Sequence, residues 1–338
     1  MKKSCVLLVF LLSLFGSAGA KEINILFMGN SFTFRHDLPE LVKEVFEEGQ
    51  PNLTVNVEKV VYGGQDMFRH HDLYFSQSMV RLNSITVPEI ETFKTRIQSF
   101  LDLEIAPDFY SAYWQKTGLK PVPWSKITGN LKTALWRQDQ LINRIKANDR
   151  VKWDYLVLQS WQDVVEDPDA GYAEYVQKWA EIADKEGIKL ILYITAPHSQ
   201  NATPVDAPLK PDQTEMEMRA VHALAKRVKP HAVVPVPLAI QAIQEGGTEL
   251  TFRYVNDFHP NQYCAFLTAN MFYAAFFKDS TEGFRFNTVV ETNDKGAGEG
   301  KDPDGGSAKV VFDEETKKLL QKAAYESVVE FDSAMPDR

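Results

Sequence analysis

The feature that most constrains this chain is the stretch at residues 23–31, which reads INILFMGNS. Five of its first six residues are apolar without helical periodicity, which is typical of a buried parallel strand. Gly29 then permits a tight turn, and a helical pattern resumes near Asp37. Ser31 is therefore expected at the carboxyl end of the first strand, where open α/β sheets bind ligands. By themselves, Asn30 and Ser31 are equally compatible with ordinary turn residues.

The rest of the chain alternates short apolar runs with amphipathic stretches. This alternation predicts a parallel sheet with helices on both faces. The sequence shows no internal repeat and no convincing linker. The predicted strands after the first are residues 53–61, 155–158, 188–194 and 232–236, and the predicted helices are 38–48, 172–185, 212–229, 261–277 and 314–331. We therefore predict a single domain over residues 21–338.

Residues 66–150 interrupt this alternation. The segment contains helical stretches and many aromatic residues but no pattern of a buried strand. It is too long for a simple crossover, so we predict a mostly helical insertion that covers one end of the sheet. Its aromatic residues form either a small core of the insertion or stacking platforms for a sugar ring.

The first twenty residues have the pattern of a secretory signal peptide. Lys2 and Lys3 precede an apolar run at residues 6–15, and small residues follow at 18–20. The run is too short for a membrane-spanning helix. We therefore predict cleavage near Ala20 and a secreted or periplasmic protein that does not bind membranes.

Composition excludes several classes of protein. Removal of the signal peptide also removes Cys5, so Cys264 remains alone and no disulfide framework is possible. The formal net charge of −9 becomes −11 when Lys2 and Lys3 are lost. An acidic chain without basic clusters argues against nucleic acids and anionic membranes as partners. A neutral small molecule or carbohydrate is the expected substrate, and the oligomeric state is not indicated.

Chemically useful residues follow each predicted strand. Ser31 follows the first strand, Gly63 and Gly64 follow the second, Gln159 the third and His198 the fourth, and Asn256, Asp257 and His259 come after the fifth. All of these positions fall on one edge of a parallel sheet. A hydroxyl, a histidine, a carboxylate and amide donors together are the residue types that acyl transfer needs.

At this point the sequence resembles the SGNH hydrolases, also called GDSL esterases. The resemblance lies in GNSFT, VVYGGQDM, LVLQSWQD and NDFHPN, and in particular points to an exported bacterial branch with the GNSFT block. It runs from about residue 23 to residue 277, and the closing VFDEETKKLLQKAAYESV fits it too. The resemblance implies an α/β fold, a three-layer α/β/α flavodoxin-like sandwich around a five-stranded parallel sheet.

The resemblance also implies roles for single residues. Ser31 matches the nucleophile, and its own backbone N–H would be one oxyanion donor. Gly63 or Gly64 matches the glycine donor, and the sequence does not distinguish them. His259 matches the general base, and Pro260-Asn261 after it opens the next helix.

Two blocks depart from the family pattern. The third lacks the usual Gly-x-Asn-Asp, so Gln159 would replace the asparagine as an oxyanion donor, with Gln162-Asp163 as a second register. The Asp-x-x-His spacing is also broken. Asn256 lies three residues before His259, at the family's position for the residue that orients the histidine. Asp257 lies only two before it, but it offers the negative charge that stabilises the imidazolium.

Residues beside these blocks are predicted to contact the substrate, namely Asn30, His70, His198 and Trp161. The sequence His70-His71-Asp72 has metal-ligand residue types, but adjacent histidines point in different directions. Residues 302–305 resemble a calcium loop only faintly and are read as part of a solvated loop at 292–308. We therefore expect neither a metal nor a cofactor.

Together these features favour a serine esterase that removes small acyl groups, acetyl above all, from a carbohydrate. A lipid-ester hydrolase is the near alternative, although no long apolar patch indicates one. The alternative of another class is a non-catalytic carbohydrate-binding protein that retains the SGNH scaffold, because the third and last blocks are irregular.

Overall fold

A computed structural model of the protein describes residues 21–117, 122–161, 164–196 and 211–334. Its centre is a five-stranded sheet in the order β2-β1-β3-β4-β5, in which every neighbouring pair is parallel. The strands are β1 (Lys21–Gly29), β2 (Leu53–Val61), β3 (Tyr155–Gln159), β4 (Lys189–Ile194) and β5 (Ala232–Pro235). The predicted five-stranded parallel sheet is confirmed.

The strand order places the start of the chain in the middle of the sheet. From β1 the chain moves outward to β2 on one side, then returns to place β3 on the other side of β1. Ile25 accordingly lies opposite Val57 in β2 and Tyr155 in β3. The direction of winding reverses between β1 and β3, and such a switch point opens a crevice at the carboxyl ends of the strands.

Both faces of the sheet are buried, as the apolar character of the strands predicts. In β1, Ile25 and Phe27 point into one core, whereas Leu26 and Met28 point into the other. This alternation follows from the two-residue period of a strand. The helices that cover the two faces complete the predicted three-layer α/β/α sandwich.

Twelve α-helices and one 3₁₀ helix, at Arg35–Asp37, are present in the described part of the chain. The α-helices before the third strand are α1 (Ser31–Phe34), α2 (Leu38–Gly49), α3 (Met67–Asp72), α4 (Gln77–Val80), α5 (Val87–Leu101), α6 (Asp108–Thr117) and α7 (Trp124–Lys146). Those after it are α8 (Gly171–Glu186), α9 (Pro211–Val228), α10 (Val236–Glu245), α11 (Gln262–Phe277) and α12 (Glu314–Ser333). None of the helices in the described ranges is long and apolar enough to cross a membrane.

The segment between β2 and β3 contains only helices in its described residues, α3 to α7. Its buried side chains belong to the core that also holds Leu26, Met28, α8 and α9. The segment therefore thickens one face of the sheet in addition to bordering its end. Tyr110, Tyr113 and Trp114 are buried in that core, whereas Trp136 is exposed.

A small antiparallel hairpin precedes the last helix. Its strands are β6 (Thr288–Val290) and β7 (Lys309–Val311), and the long loop 291–308 joins them. This loop was predicted to be a solvated surface segment. Most of its residues are exposed, as predicted, and part of it also contacts the segment that contains His259, as described below.

Candidate active site

Ser31 is held at the end of β1 by a capped turn. Asn30 is the N-cap of α1, and its Oδ1 accepts the Phe32 N–H at 3.0 Å. Ser31 is the first residue of the helix, and its backbone N–H has no acceptor within the part of the chain that the structure describes. A free N–H at a helix N-terminus favours nearby negative charge.

Gln159, the last residue of β3, fixes this turn from the neighbouring strand. Its Oε1 accepts the Asn30 N–H at 2.9 Å and the Thr33 hydroxyl at 2.7 Å. Its Nε2 donates to Asn30 Oδ1 at 2.9 Å and to the Ser160 carbonyl at 2.8 Å. The predicted role of Gln159 as an oxyanion donor is therefore wrong, because both amide hydrogens are already donated.

Gly29 allows this close approach of Gln159. A Cβ at position 29 would overlap Oε1 of Gln159 and stand 2.5 Å from the Thr33 hydroxyl. Glycine is therefore needed here for space beside its neighbours. The tight turn predicted at Gly29 is real, but its physical reason is the glutamine on the adjacent strand.

The second glycine block lies beside the Ser31 turn. Asn30 Nδ2 donates to the Gln65 carbonyl at 3.0 Å, which ties the loop after β1 to the loop after β2. Gly64 has a φ of 64°, a conformation that favours glycine, and a Cβ at Gly63 would meet nothing within 4 Å. Neither glycine N–H has an acceptor within the described ranges. The backbone N–H groups of Ser31, Gly63 and Gly64 are thus without an acceptor in these ranges, and their role as oxyanion donors stays a prediction.

Two residues predicted to contact substrate are structural. Asn30 is fully buried, and its side chain is occupied by the bonds to Phe32, Gln159 and Gln65. His70 is also fully buried: its Nε2 donates to the Gly29 carbonyl at 2.8 Å, and its Nδ1 accepts from Ser76 at 3.1 Å. Burial lowers the pKa of His70 to about 3, so the ring is neutral. Neither prediction of a substrate contact is correct, since neither side chain reaches solvent.

His259 is hydrogen-bonded to Asp257, although only one residue separates them. The Nδ1 of His259 lies 2.5 Å from Asp257 Oδ1, which leaves Nε2 free to accept a proton. Asn256 is exposed, and its backbone N–H donates to Asp304 at 2.8 Å. The sequence left Asn256 and Asp257 as alternatives for the residue that orients His259. The structure places Asp257 against the imidazole.

The electrostatics of this pair suit a base that is neutral at neutral pH. Burial lowers the pKa of His259 below its ordinary value, against the raising effect of the hydrogen bond to Asp257. Burial alone would raise the pKa of Asp257, but hydrogen bonds from Arg35 and His259 hold it below its usual value. A neutral imidazole beside a carboxylate is the resting state that a general base requires.

Arg35 and Glu291 also belong to the site, and sequence reasoning missed both. The Arg35 guanidinium donates to Asp257 Oδ2 at 2.7 Å and, through Nε and Nη2, to both carboxylate oxygens of Glu291 at 2.9 and 2.6 Å. His36, the neighbour of Arg35, is buried with its Nε2 2.8 Å from the Pro260 carbonyl. No local pattern marks these residues, because their partners lie more than two hundred positions away in the sequence.

The structure brings α1 and the His259 segment together. The ring of Phe32, next to Ser31, packs on the His259 ring with centroids 5.8 Å apart, and Arg35 follows in the same segment. No hydrogen bond joins the Ser31 hydroxyl to His259 among the described residues. Catalytic hydrogen bonds are often long in unliganded enzymes and tighten when substrate binds.

A cavity of about 220 Å³ lies at the carboxyl ends of β2 and β3. Its wall is rich in aromatic residues and includes Asp66, Tyr113, Trp161 and Tyr172. Trp161, predicted to contact substrate, is half-buried in this wall, and Tyr113 brings one aromatic ring of the helical segment to it. The predicted residues His198, Gln162 and Asp163 lie outside the described residues.

Asp302 and Asp304 were considered as ligands of a faint calcium loop. Their carboxylates accept backbone N–H groups instead: Asp302 from Asp304 and Gly306, and Asp304 from Val255 and Asn256. No cluster of three or more potential metal ligands occurs in the described ranges. These carboxylates therefore brace the loop and the segment before His259.

Comparison with known proteins gives distant structural likenesses. No family model matches the chain, and no curated protein matches it. A DUF4886 family protein from Bacteroides uniformis is 16% identical with a TM-score of 0.49, over 94% of this chain and 97% of that one. A candidate SGNH hydrolase from Slackia heliotrinireducens is 18% identical with a TM-score of 0.38, over 74% and 96%. A gut microbial diltiazem-metabolizing enzyme is 12% identical with a TM-score of 0.36, over 76% and 47%. At this distance the likenesses carry no argument about activity or residue roles.

Proposed function

We propose that this protein is a serine esterase that removes small acyl groups, acetyl above all, from a carbohydrate. The observation that carries the proposal is the Asp257–His259 pair beside α1, the helix that begins with Ser31. Nucleophile, base and orienting carboxylate lie at one sheet edge, as acyl transfer requires. The SGNH-like order of the residues along the chain supports the same reading.

In this mechanism the Ser31 hydroxyl attacks the ester carbonyl carbon while His259 Nε2 takes its proton. Asp257 accepts the hydrogen bond from Nδ1, which fixes the tautomer and stabilises the imidazolium. The negative carbonyl oxygen is stabilised by the free N–H of Ser31 and that of Gly63 or Gly64. The proton then passes to the departing alcohol, which leaves the acyl group on Ser31. Water attacks this acyl-serine while His259 takes its proton, the bond between the acyl carbon and Ser31 Oγ breaks, the acid leaves and His259 returns the proton to Ser31.

The cavity beside the Ser31 turn supports the substrate part of the proposal. Gln159 lines this cavity and also bonds Asn30, whereas Ser31 and His259 are not among its lining residues. The wall of the cavity combines the aromatic residues Tyr113, Trp161 and Tyr172 with the carboxylate of Asp66. An aromatic face beside a hydrogen-bond acceptor is suited to a sugar ring, whose hydroxyls donate and whose C–H faces are apolar. The acidic composition favours a neutral ligand, and export, predicted from residues 1–20, fits an extracellular glycan substrate.

The test is hydrolysis of p-nitrophenyl acetate together with labelling by a fluorophosphonate probe. The wild type is expected to hydrolyse the ester and to label, and Ser31→Ala to lose both. Ser84→Ala, at an exposed serine far along the chain, is the matched control and should behave as the wild type. A wild type that neither labels nor outperforms Ser31→Ala would contradict the esterase proposal and favour the binding-protein alternative.

The carbohydrate is tested separately with a panel of acetylated sugars. Trp161→Ala is expected to raise KM for acetylated sugars with little effect on p-nitrophenyl acetate, because the small ester does not need a stacking surface. An equal effect on both substrates would place Trp161 outside the sugar site.

A further inference from the structure

Arg35 is a buried cation shared between two carboxylates. Its side chain is 1% exposed, and it bonds Asp257 Oδ2 with one nitrogen and Glu291 with two. Glu291 is itself fixed, since its Oε1 also accepts the Asn293 N–H at 2.8 Å. A two-pronged bond between arginine and carboxylate sets direction as well as distance. Arg35 therefore has little freedom to move away from Asp257.

Asp257 needs such a partner because of its spacing from His259. The expected spacing of three residues is shortened to two, and the side chain of the intervening Phe258 is exposed and does not pack in the core. The carboxylate has two oxygens, of which one faces the histidine and the other faces Arg35. The bond from Arg35 to Oδ2 therefore fixes the position of Oδ1, the oxygen that faces His259.

The charges of the cluster also fit this arrangement. Glu291 and Asp257 contribute two negative charges, and Arg35 contributes one buried positive charge, while the partly exposed Lys295 lies 3.8 Å from Asp257. When His259 takes the serine proton, Glu291, Asp257, Arg35 and His259 together contain two charges of each sign. Removing Arg35 would leave the two carboxylates close together in a largely buried place, which is costly.

We infer that Arg35, held by Glu291, is a positioning residue that keeps Asp257 against the His259 ring. Its effect on rate rests on the proposed function, whereas its effect on the His259 ring does not. Arg35 is out of reach of the substrate, so it acts through Asp257 alone.

The first test is titration of the His259 ring by NMR, with His259→Gln used to assign the signal. Asp257 raises the pKa of His259 more than Arg35 lowers it. If Arg35→Met releases Asp257, the titration midpoint falls below that of the wild type. If Arg35 is only a neighbouring charge, its removal raises the midpoint, and that result would overturn the inference.

Lys295 provides the matched control. Its Nζ lies 3.8 Å from Asp257 Oδ2, but the side chain is about half exposed and makes no hydrogen bond to that carboxylate in the described residues. Lys295→Met removes a positive charge from the same carboxylate without removing the clamp. The titration midpoint of His259 should rise slightly in Lys295→Met, whereas it should fall in Arg35→Met.

The second test is kinetic. A displacement of about 1 Å in a catalytic group can cost about 100-fold in rate, so Arg35→Met should lower kcat on p-nitrophenyl acetate by about that factor. KM should change little, and Lys295→Met should keep the wild-type kcat. An Arg35→Met enzyme with the kcat of the wild type would contradict the inference.

A variant that lacks only Arg35 leaves Glu291 buried without its partner, and misfolding would obscure both tests. The double variant Arg35→Met/Glu291→Leu replaces the ion pair by apolar groups, a change that buried pairs often tolerate. It should fold and show the same fall in midpoint and kcat as the single variant. A folded double variant with wild-type values of both would refute the clamp.

The two proposals fail in different ways. If the wild type does not hydrolyse esters but Arg35→Met lowers the His259 midpoint, the clamp stands and the esterase proposal falls. If the wild type is an active esterase whose kcat and midpoint survive loss of Arg35, the esterase proposal stands and the clamp falls.

Discussion

The side-chain amide of Gln159 binds Asn30 through both of its atoms. Oε1 accepts the Asn30 backbone N–H, and Nε2 donates to the Asn30 side-chain oxygen, each at 2.9 Å. Gln159, which was expected to face the reacting oxygen, therefore faces the turn that holds Ser31, the proposed nucleophile. Its role is to hold Ser31 in place, which makes different predictions from a role in the oxyanion hole.

Replacing Gln159 by leucine should destabilise the protein as well as impair it. The change leaves the buried Asn30 N–H and Thr33 hydroxyl without acceptors, at about 1–3 kcal/mol for each unsatisfied group. We expect a lower free energy of unfolding in urea together with a reduced kcat. A variant with full stability and a reduced kcat would instead indicate a direct catalytic role.

Gly29→Ala should be among the most damaging single-methyl changes in the chain. The new Cβ would overlap Gln159 Oε1 and crowd the Thr33 hydroxyl, so the turn must shift. Overpacking of this kind costs about 1–3 kcal/mol, measured as a loss of unfolding free energy.

Gly63→Ala is the control for that experiment, because its Cβ would lie in open space and its φ is not left-handed. Its stability should stay within about 0.5 kcal/mol of the wild type. Gly64→Ala, at a φ of 64°, should cost about 1–2 kcal/mol. Equal stability of the Gly29 and Gly63 variants would show that the Gln159 contact is not close.

Asp257→Asn and Asn256→Ala distinguish the two residues that the sequence left open. Loss of the orienting carboxylate in a serine triad costs about 10⁴-fold in kcat, and we expect a fall of that order for Asp257→Asn only. Asn256→Ala should be nearly neutral, because its exposed side chain does not contact His259. A larger loss in the Asn256 variant would reverse the assignment.

The pH dependence of activity follows from the lowered pKa of His259. The base acts in its neutral form, so kcat/KM should persist below pH 6.5, the ordinary value for histidine, and fall as the pH drops through the lower folded value. Measurement of kcat/KM from about pH 5 upward checks this. A midpoint above 6.5 on the acid limb would contradict the buried environment described for the ring.

His70 makes stability depend on pH. Its pKa of about 3 in the folded protein lies below the ordinary 6.5, so the unfolded chain binds the proton first. The contribution of His70 to the free energy of unfolding is complete above pH 6.5. It falls as the pH decreases toward 3, by up to about 1.4 kcal/mol per pH unit. In urea, His70→Gln should have a lower free energy of unfolding than the wild type at neutral pH. This free energy should also fall less steeply as the pH decreases.

The comparison is between the wild type and His70→Gln. The other titratable groups are common to these two proteins, so the difference between their slopes reports on His70. A wild-type slope in His70→Gln would show that the buried ring does not couple folding to protons.

The fold could be predicted because its signals are local. The apolar runs that become β1 and β3 and the glycine at position 29 can be recognised within a few residues. The partners of site residues could not, since Gln159 meets Asn30 across 129 positions and Arg35 meets Glu291 across 256. Single-sequence patterns contain no information about such pairs, so Gln159 was given the wrong role and Arg35 none.

His70 shows the same limit in another form. It follows the glycine block in the sequence, but a residue beside a pocket in sequence can point into the core. The ring instead supports the Gly29 carbonyl from behind. Burial of a single polar side chain depends on the tertiary packing of Tyr62 and Tyr74 around it, which the sequence pattern does not reveal.

The hairpin near the end of the chain has a consequence for the order of folding. Glu291 and Asp304, which hold Arg35 and the segment before His259, are made long after Ser31. Contacts between such distant parts of a chain form late, because a large loop must close first. A nascent or truncated chain that stops at the end of α11 contains Ser31, Asp257 and His259 but lacks Glu291 and Asp304. We therefore expect Ser31, the proposed nucleophile, to gain its full reactivity only after the hairpin has been made.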